Sequence, residues 1–507
     1  MPQVQTISAQ RFTKYVDDPR NAGDGVLSSP SINVRITEGG EAQTRPGYED
    51  TGFDLAEDGK KAKSHYSKRW NLTFFSLNGK VKFIDRNNGD NVIDTGLALT
   101  ATETTRFGEY SGDIYTINRT DGLRQIHVGR VNETSADSGD GDIKVDQHLA
   151  GRLLAFSDTV GTLNIATTTL FSESYSSVAA TGVITLSNTL DNAVPDNTIV
   201  FTVEDISSNR PFGSSLTFWL ERMVVWGVVD DQASYNATSI DDAVNTVYMS
   251  KFALRDALQN IIDFDTSGTA SIEQVGKSGE VTNCLATRDY LYIFKEDETY
   301  FTSVADVNLT TGAPIPQLLS TQYGCVNEDS AIDMGNGLIA FMTNNNRIIG
   351  IKISTESGAA VVFPDEGFDQ GIRNTALSFD DDKTNFLAFY HTGRRLGYFQ
   401  VQINAVVVTL VFDNNPNIKD WLPPDTNKSF FDYHERNGVL FATDLADDTI
   451  YQIDIGNEDE GIEIDCIIAT GIFESQTNDF EWRDMILSGI VSQDAVVDVE
   501  ASVDDGT

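Results

Sequence analysis

Apolar residues in this chain come in short runs rich in Val, Ile, Leu, Phe and Tyr, punctuated by Gly, Asn and Asp, the residues that favour tight turns. Helical spacing is scarce. The best candidate is the segment 251–264, where Phe252, Leu254, Leu258, Ile261 and Ile262 fall on one helical face, enough for a turn or two between strands. The reading is all-β.

The runs recur in one shape: an apolar strand, a polar turn, then a second strand carrying an aromatic or aliphatic pair. It is visible in WNLTFFSLNGKVKFID (70–85), GDIYTIN (112–118), NTVYMSKF (245–252) and TRDYLYIFKEDETYFTSV (287–304). It continues in GLIAFMTNNNRIIGIK (337–352), FLAFYHTGRRLGYFQV (386–401) and GVLFATDLADDTIYQID (438–454). With Tyr248, Tyr300, Ile349, Tyr398 and Tyr451 as equivalent marks, the steps 300−248, 349−300, 398−349 and 451−398 stay close to one value. That value, roughly 50, fits a β-propeller blade better than a sandwich strand. One four-stranded meander cannot cover both its faces alone, and blades packed around an axis cover each other.

Phe74 and Tyr115 mark two earlier blades, and the interval from Tyr115 to Tyr248 is too long for two blade steps. The expectation is a β-propeller of six to eight blades over residues 51–455, interrupted by a small inserted β domain over 161–212. In that insert, Ser/Thr-rich sequence surrounds two alternating strands about Pro195, Asp196 and Asn197. Residues 1–50 read as an extended arm or as a first strand that closes the ring, ending in Thr44, Arg45, Pro46, Gly47 and Tyr48. Residues 456–507 read as a further β module whose last strand stops at Thr507 where it should turn back, so the chain is expected to continue beyond it.

Charge narrows the function. The chain has 507 residues, with 76 acidic against 36 basic and a net charge of −40, which opposes non-specific attraction to DNA phosphate and anionic lipid. The 40% hydrophobic and 10% aromatic content supplies the apolar surface that disordered acidic chains lack. No basic segment followed by an apolar one opens the sequence. The most apolar stretch, 405–412, is far short of the ~20 residues of a membrane span. Cys284, Cys325 and Cys466 lie far apart without a CxxC, neither a disulfide framework nor a zinc pattern, and read as buried reduced thiols made in a cytoplasm.

Candidate chemistry is thin. His65, His127, His148, His391 and His434 show no paired ligand spacing, and there is no GxSxG elbow. Asp263, Asp265, Ser267 and Gly268 match the start of an EF-hand loop, but position 12, which supplies the bidentate carboxylate, is Gln274 and the nearest acid is Glu273. Asp137, Asp140 and Asp142, and likewise Asp380, Asp381 and Asp382, read as solvated turns. Ser502, Asp504, Gly506 and Thr507 fit the first part of an Asp box, a structural turn of sialidase-like propellers. No catalytic, cofactor-binding or metal-binding residue is assigned, no cofactor is expected, and the chain is read as non-enzymatic.

Taken with the repeats, RPGYEDTG (45–52), LYIFKEDETYFTSV (291–304), YGCVNEDSAIDMGNGLIAFMTNNNRIIGIK (323–352) and DTIYQIDIGNEDEGIEIDC (448–466) resemble the propeller-containing nozzle, or tail-hub, proteins of short-tailed bacteriophages. The resemblance is one of pattern over about 40–490. It implies a structural virion protein of the tail, assembled in the host cytoplasm as a hexameric homo-oligomer. Portal and adaptor proteins and tail fibre or needle proteins would be its partners, and double-stranded DNA would pass through without specific binding. Two alternatives stand beside it. One is a carbohydrate-binding or carbohydrate-cleaving propeller, with aromatic platforms and clustered acids at its mouth; the other is a tail-tip adhesion protein of another phage type.

Overall fold

The computed structural model describes most of residues 14–132, isolated strands between 135 and 195, and most of residues 199–469; the larger stretches outside the description are 1–13, 145–152, 157–168, 171–182, 186–193, 229–243, 252–263 and 470–507. Among the described residues the structure is almost wholly β, built as seven four-stranded antiparallel blades. Blade I comprises Lys63–Ser67, Leu72–Leu77, Lys80–Asp85 and Asn91–Ala98. Blade II comprises Arg106–Tyr110, Asp113–Ile117, Arg124–Arg130 and Ile199–Asp205, and blade III Ser215–Trp219, Arg222–Trp226, Thr246–Met249 and Ser271–Gln274. Blade IV follows with Val281–Ala286, Tyr290–Lys295, Thr299–Ser303 and Gln317–Ser320, and blade V with Ala331–Asp333, Ile339–Met342, Ile348–Glu356 and Ala359–Asp365. Blade VI is Leu387–His391, Leu396–Ile403, Val406–Asp413 and Asp420–Asp425. Blade VII takes Phe430–Arg436, Val439–Asp444 and Ile450–Ile455, and its fourth strand, Gly47–Asp50, comes from the start of the chain.

The first strands of the blades neighbour one another in the cyclic order I to VII and back to I, so the ring is closed and these strands line its axis. A second strand is covered on both faces, because successive side chains point to opposite sides of the sheet and each side meets a neighbouring blade. Phe74 packs in the cluster shared with blade II, beside Ile114, Ile126 and Phe201, while Phe75 packs toward blade VII with Phe441 and Ile450. Blade IV does the same: Leu291 and Ile293 join Val224 and Val247 of blade III, and Tyr292 and Phe294 join Phe341 and Ile349 of blade V. Two-sided burial is why these strands carry consecutive apolar residues, as in Phe74 and Phe75 or Leu291 to Phe294, instead of alternating ones.

Ring closure uses the motif RPGYEDTG. Tyr48 pairs with Ile453 and Asp50 with Tyr451, antiparallel, and on its other edge Gly47–Asp50 meets Glu458–Asp459 in parallel. A Cβ at Gly47 would lie 1.8 Å from the Glu458 carbonyl oxygen, so only glycine lets the two backbones approach this closely. Upstream, Lys14–Val16 pairs with Val26–Ser28, and Val34–Ile36 forms a hairpin with Ala42–Thr44. Both lie against the outermost strand of blade VI, Asp420–Asp425, whose Pro423 and Pro424 suit an edge position. Arg35 holds this covering in place through a buried two-pronged pair with Asp425, at 2.7 and 2.5 Å. Residues 1–50 thus supply, where described, both a covering arm and the closing strand.

The blade marks need one correction. Tyr248, Tyr300, Ile349 and Tyr451 do occupy third strands, but Tyr398 sits on the second strand of blade VI, as do Phe74 and Tyr115 in blades I and II. The true third-strand counterpart is Val411, the cross-strand partner of Tyr398. The connection after blade V explains the coincidence. It carries two short helical turns, Gln370–Ile372 and Arg373–Ala376, before blade VI starts at Leu387, and this detour lengthens the interval by about one strand and turn. The loop is anchored by the Trp421 indole, whose Nε1 donates to the Phe368 carbonyl at 2.7 Å.

The long interval lies inside blade II, between its third strand and its fourth, Ile199–Asp205, which pairs along its whole length with Arg124–Arg130. The later of the two strands assigned to an insert over 161–212 therefore belongs to the propeller. Leu153–Phe156 extends the same sheet beyond it, and Val183–Thr185 and Val194–Pro195 pair with Asp142–Lys144 and Ser135–Ala136. Of the module expected over 456–507, Glu458–Asp459 and Ile462–Glu463 continue the sheet of blade VII, and Ile467 bridges to Ile32. Residues 470–507, with the Asp-box match, lie outside the described residues, as do most of the candidate helix at 251–264 and of the EF-hand-like loop. Among the described residues no helix is long and apolar enough to cross a membrane.

Candidate functional site

Propellers commonly place ligands at the axis, where the first strands converge. In this chain one mouth of that axis is filled by charge. Lys63, at the start of the first strand of blade I, reaches Asp329 at 3.0 Å and Asp432, on the first strand of blade VII, at 3.4 Å. Asp329 belongs to the loop entering blade V, nearly opposite blade I, and its backbone carbonyl also accepts from the amide of Ala388 in blade VI. Arg106 of blade II binds the same carboxylate at 2.7 Å and approaches Glu328 at 3.7 Å. Arg119 joins Glu328 at 3.8 Å and pairs with Glu280. Six blades or their entry loops, all but blade III, are tied together by these contacts.

Burial sets the electrostatics. Desolvation disfavours the ionised form of Asp329, but Arg106 and Lys63 beside it win, holding its carboxyl well below the usual range. Asp432 is pushed the other way, first by burial and then by the nearby Asp329, with Lys63 only partly compensating. Arg106 stays protonated beyond its ordinary value because Asp329 and Glu328 outweigh its own desolvation.

Behind Asp432 stand Ser64 and His434, three residue types that elsewhere make a nucleophile. Their order is wrong for it. The Ser64 hydroxyl donates to Asp432 at 3.1 Å, and its oxygen lies 3.0 Å from His434 Nδ1; with its one proton on the carboxylate, the serine gives none to the imidazole in this arrangement. The remaining nitrogen, Nε2, is buried without a hydrogen-bond partner, in a ring that stacks on Phe441 and stands nearly perpendicular to Phe75. Burial first, then the positive charges of Arg86 and Arg436 and neighbouring His65, drive the His434 pKa down to about 3.

The other histidines are spread around the ring. His65 faces Glu109 at 3.4 Å, and His127 is wholly buried 3.3 Å from Asp113. His391 Nε2 donates to the Gly438 carbonyl at 3.0 Å, with Nδ1 3.5 Å from Asp454, which also accepts from the Tyr398 hydroxyl at 2.7 Å. His148 lies outside the described residues. Cys284 and Cys325 are buried, Cys466 half-buried, and all three are free thiols. Asp380 caps the turn at Asn404 and Ala405, accepting from both amides at 2.8 Å.

One trio of carboxylates, Asp54, Asp58 and Asp448, brings ligand oxygens within 4.8 Å of one another and could in principle gather a cation. Asp448 already accepts from the Glu57 amide at 2.9 Å and Asp54 from the Ala56 amide at 2.6 Å, so both are engaged in shaping their loop. Among the described residues no tryptophan offers a platform, Trp70, Trp219, Trp226 and Trp421 being buried, and the Phe431 ring is covered by Lys61 and Lys63 at 4.5 and 4.7 Å. Sequence reading found neither the ion-pair cluster nor its members, which are scattered from residue 63 to 432; the one local signal is a lysine or arginine at the first position of an inner strand, as in Lys63–Ser67 and Arg106–Tyr110.

No protein-family model matches the chain, and no curated protein matches it. Solved structures similar to it include the computationally designed Ika8 protein, 10% identical over 81% of this chain and 100% of that one, with a TM-score of 0.34. The Cps50 (Swd1) β-propeller domain of Myceliophteria thermophila is 7% identical over 81% of this chain and 100% of its own, with a TM-score of 0.38. Hsv2 of Kluyveromyces lactis is 9% identical over 72% of this chain and 97% of its own, with a TM-score of 0.29.

Proposed function

We propose that this chain is a structural ring protein of a phage tail nozzle, several copies of which, six by the resemblance, surround a channel for double-stranded DNA. The observation that carries the reading is the filled axis. A propeller whose own mouth is bridged by Lys63, Arg106, Asp329 and Asp432 behaves as a solid wall block, so a conduit would run between copies and not through one. The net charge of −40 per copy then matters, because whatever share faces a shared bore repels phosphate within about 10 Å at 0.1 M salt. A structural role also accords with the Ser64, Asp432 and His434 arrangement, which orients side chains without activating one.

The test is the mass of the purified protein in solution together with DNA retention across salt. A ring of defined stoichiometry that fails to hold DNA even at low salt supports the reading. A persistent monomer at micromolar concentration, or tight DNA binding at low salt, overturns it; a monomer with glycan affinity would favour the carbohydrate-binding propeller instead.

A further inference from the structure

Beside the filled mouth, between blades I and VII, the surface opens into a cavity of about 530 Å³ lined by Lys60, Lys61, Lys63, Thr102, Asn385 and Phe431 among others. Its charge runs against the rest of the molecule. In a protein with 76 acids for 36 bases, lysines and arginines are expected to find carboxylates, and Lys63 does so with Asp329 and Asp432. Lys60 and Lys61 are exposed and pair with no carboxylate among the described residues; Lys61 instead rests its ammonium over the Phe431 ring at 4.5 Å. The one acid on the lining is Glu103, on the threonine-rich loop that faces the lysines.

We infer that this cavity binds a small anion carrying phosphate or carboxylate groups. The volume suits a molecule of roughly nucleotide or disaccharide size. Lys60 and Lys61 would supply charge-assisted hydrogen bonds to its anionic groups. Thr102, Thr104 and Asn385, which also line the cavity, offer hydroxyl and amide groups to the neutral part. The Phe431 ring fixes the position of the Lys61 ammonium, lowering the entropy lost when it binds. This site does not depend on the ring reading above, since it lies within one copy.

Calorimetric titration of the whole chain with tripolyphosphate and, separately, with a galacturonic acid disaccharide tests the inference and separates the two ligand chemistries. Saturable one-to-one binding of either probe is expected, weakened about tenfold or more in the Lys60→Gln, Lys61→Gln double variant, the factor that the loss of one charge-assisted bond already carries. Lys68→Gln, which removes an exposed lysine outside the cavity, should bind as the parent does. The inference is overturned if neither probe binds at millimolar concentration, or if Lys68→Gln loses as much affinity as the double variant, which would mark the binding as diffuse.

Discussion

Lys63 of blade I and Asp329 of the loop entering blade V meet at 3.0 Å over the propeller axis, with the lysine side chain only 5% exposed. Removing one partner of such a pair leaves buried charge uncompensated. Asp329→Ala would leave Arg106 only Glu328 at 3.7 Å and Lys63 only Asp432 at 3.4 Å, a partial compensation, and is expected to cost about 1.5–3 kcal/mol. Urea denaturation midpoints of parent and variant measure this; a loss below about 1 kcal/mol would mean that water reaches the pair as it does on a surface.

The low pKa of His434, about 3, gives stability a definite pH dependence. Between about 6.5 and 3 the unfolded chain protonates this imidazole and the folded one does not, so stability present above about 6.5 drains away as pH falls. By pH 4 the expected share from this one group is about 3 kcal/mol. Carboxylates contribute to acid unfolding as well, and the comparison with His434→Gln isolates the histidine: the variant should lose less stability between pH 7 and 4. Parallel curves for the two proteins would refute the assignment.

His391 should behave in the opposite sense. Burial works against its charge, but Asp454 and the Gly438 carbonyl outweigh it and raise its pKa above the ordinary 6.5. Its contribution is therefore complete below about 6.5 and is lost as pH rises through the raised value. In an NMR titration of the imidazole resonances, one signal assigned to His391 is expected to titrate above 6.5, while that of His434 stays neutral to below pH 5. Identical midpoints would remove the electrostatic account of both.

The thiols offer a quick check on packing. Burial, moderated by Ser330, pushes the Cys325 pKa up to about 12, and Cys284 is raised by burial and by Cys325 next to it. A thiol-specific reagent at pH 8 should modify Cys466 alone in the native protein and all three cysteines in denaturant, counted by mass. Fast labelling of Cys284 or Cys325 without denaturant would show that blades IV and V open readily.

Gly47→Ala places a methyl group against the backbone of Glu458, which cannot swing aside as a side chain would. The expected loss is at least the 1–3 kcal/mol of ordinary overpacking, seen as a lower urea midpoint. An unchanged midpoint would imply that Glu458–Asp459 does not pair with the closing strand.

Much of this architecture was legible in the chain, and the exceptions have physical causes. Runs such as Leu72–Leu77 and Tyr290–Lys295 announce strands buried on both faces, and their recurrence announces blades. Tyr398 misled because spacing counts residues and cannot see that the chain detours through Gln370–Ile372 and Arg373–Ala376, a delay that shifts the register by one strand. Ile199–Asp205 misled because a fourth strand reached after a long excursion has no neighbour in sequence to identify its sheet. The axial cluster was invisible for a similar reason. Lys63, Arg106, Asp329 and Asp432 are ordinary surface-type residues until the ring brings them together, and nothing in their local sequence says which inner strand each will face.

The strand Gly47–Asp50 is made early by the ribosome and used last, since its partners at Tyr451 and Ile453 lie about 400 residues downstream. At roughly 5–20 residues per second, the nascent ring would stay open for tens of seconds, with the strand Gly47–Asp50 waiting for its partner. Once blade VII emerges, a second nascent chain on the same message could offer its own Gly47–Asp50 strand to it. Productive assembly therefore asks the arm at Val34–Ile36 and Ala42–Thr44 to dock through Arg35 on Asp425 as soon as blade VI is made, which sets the closing strand beside its own blade VII as that blade follows.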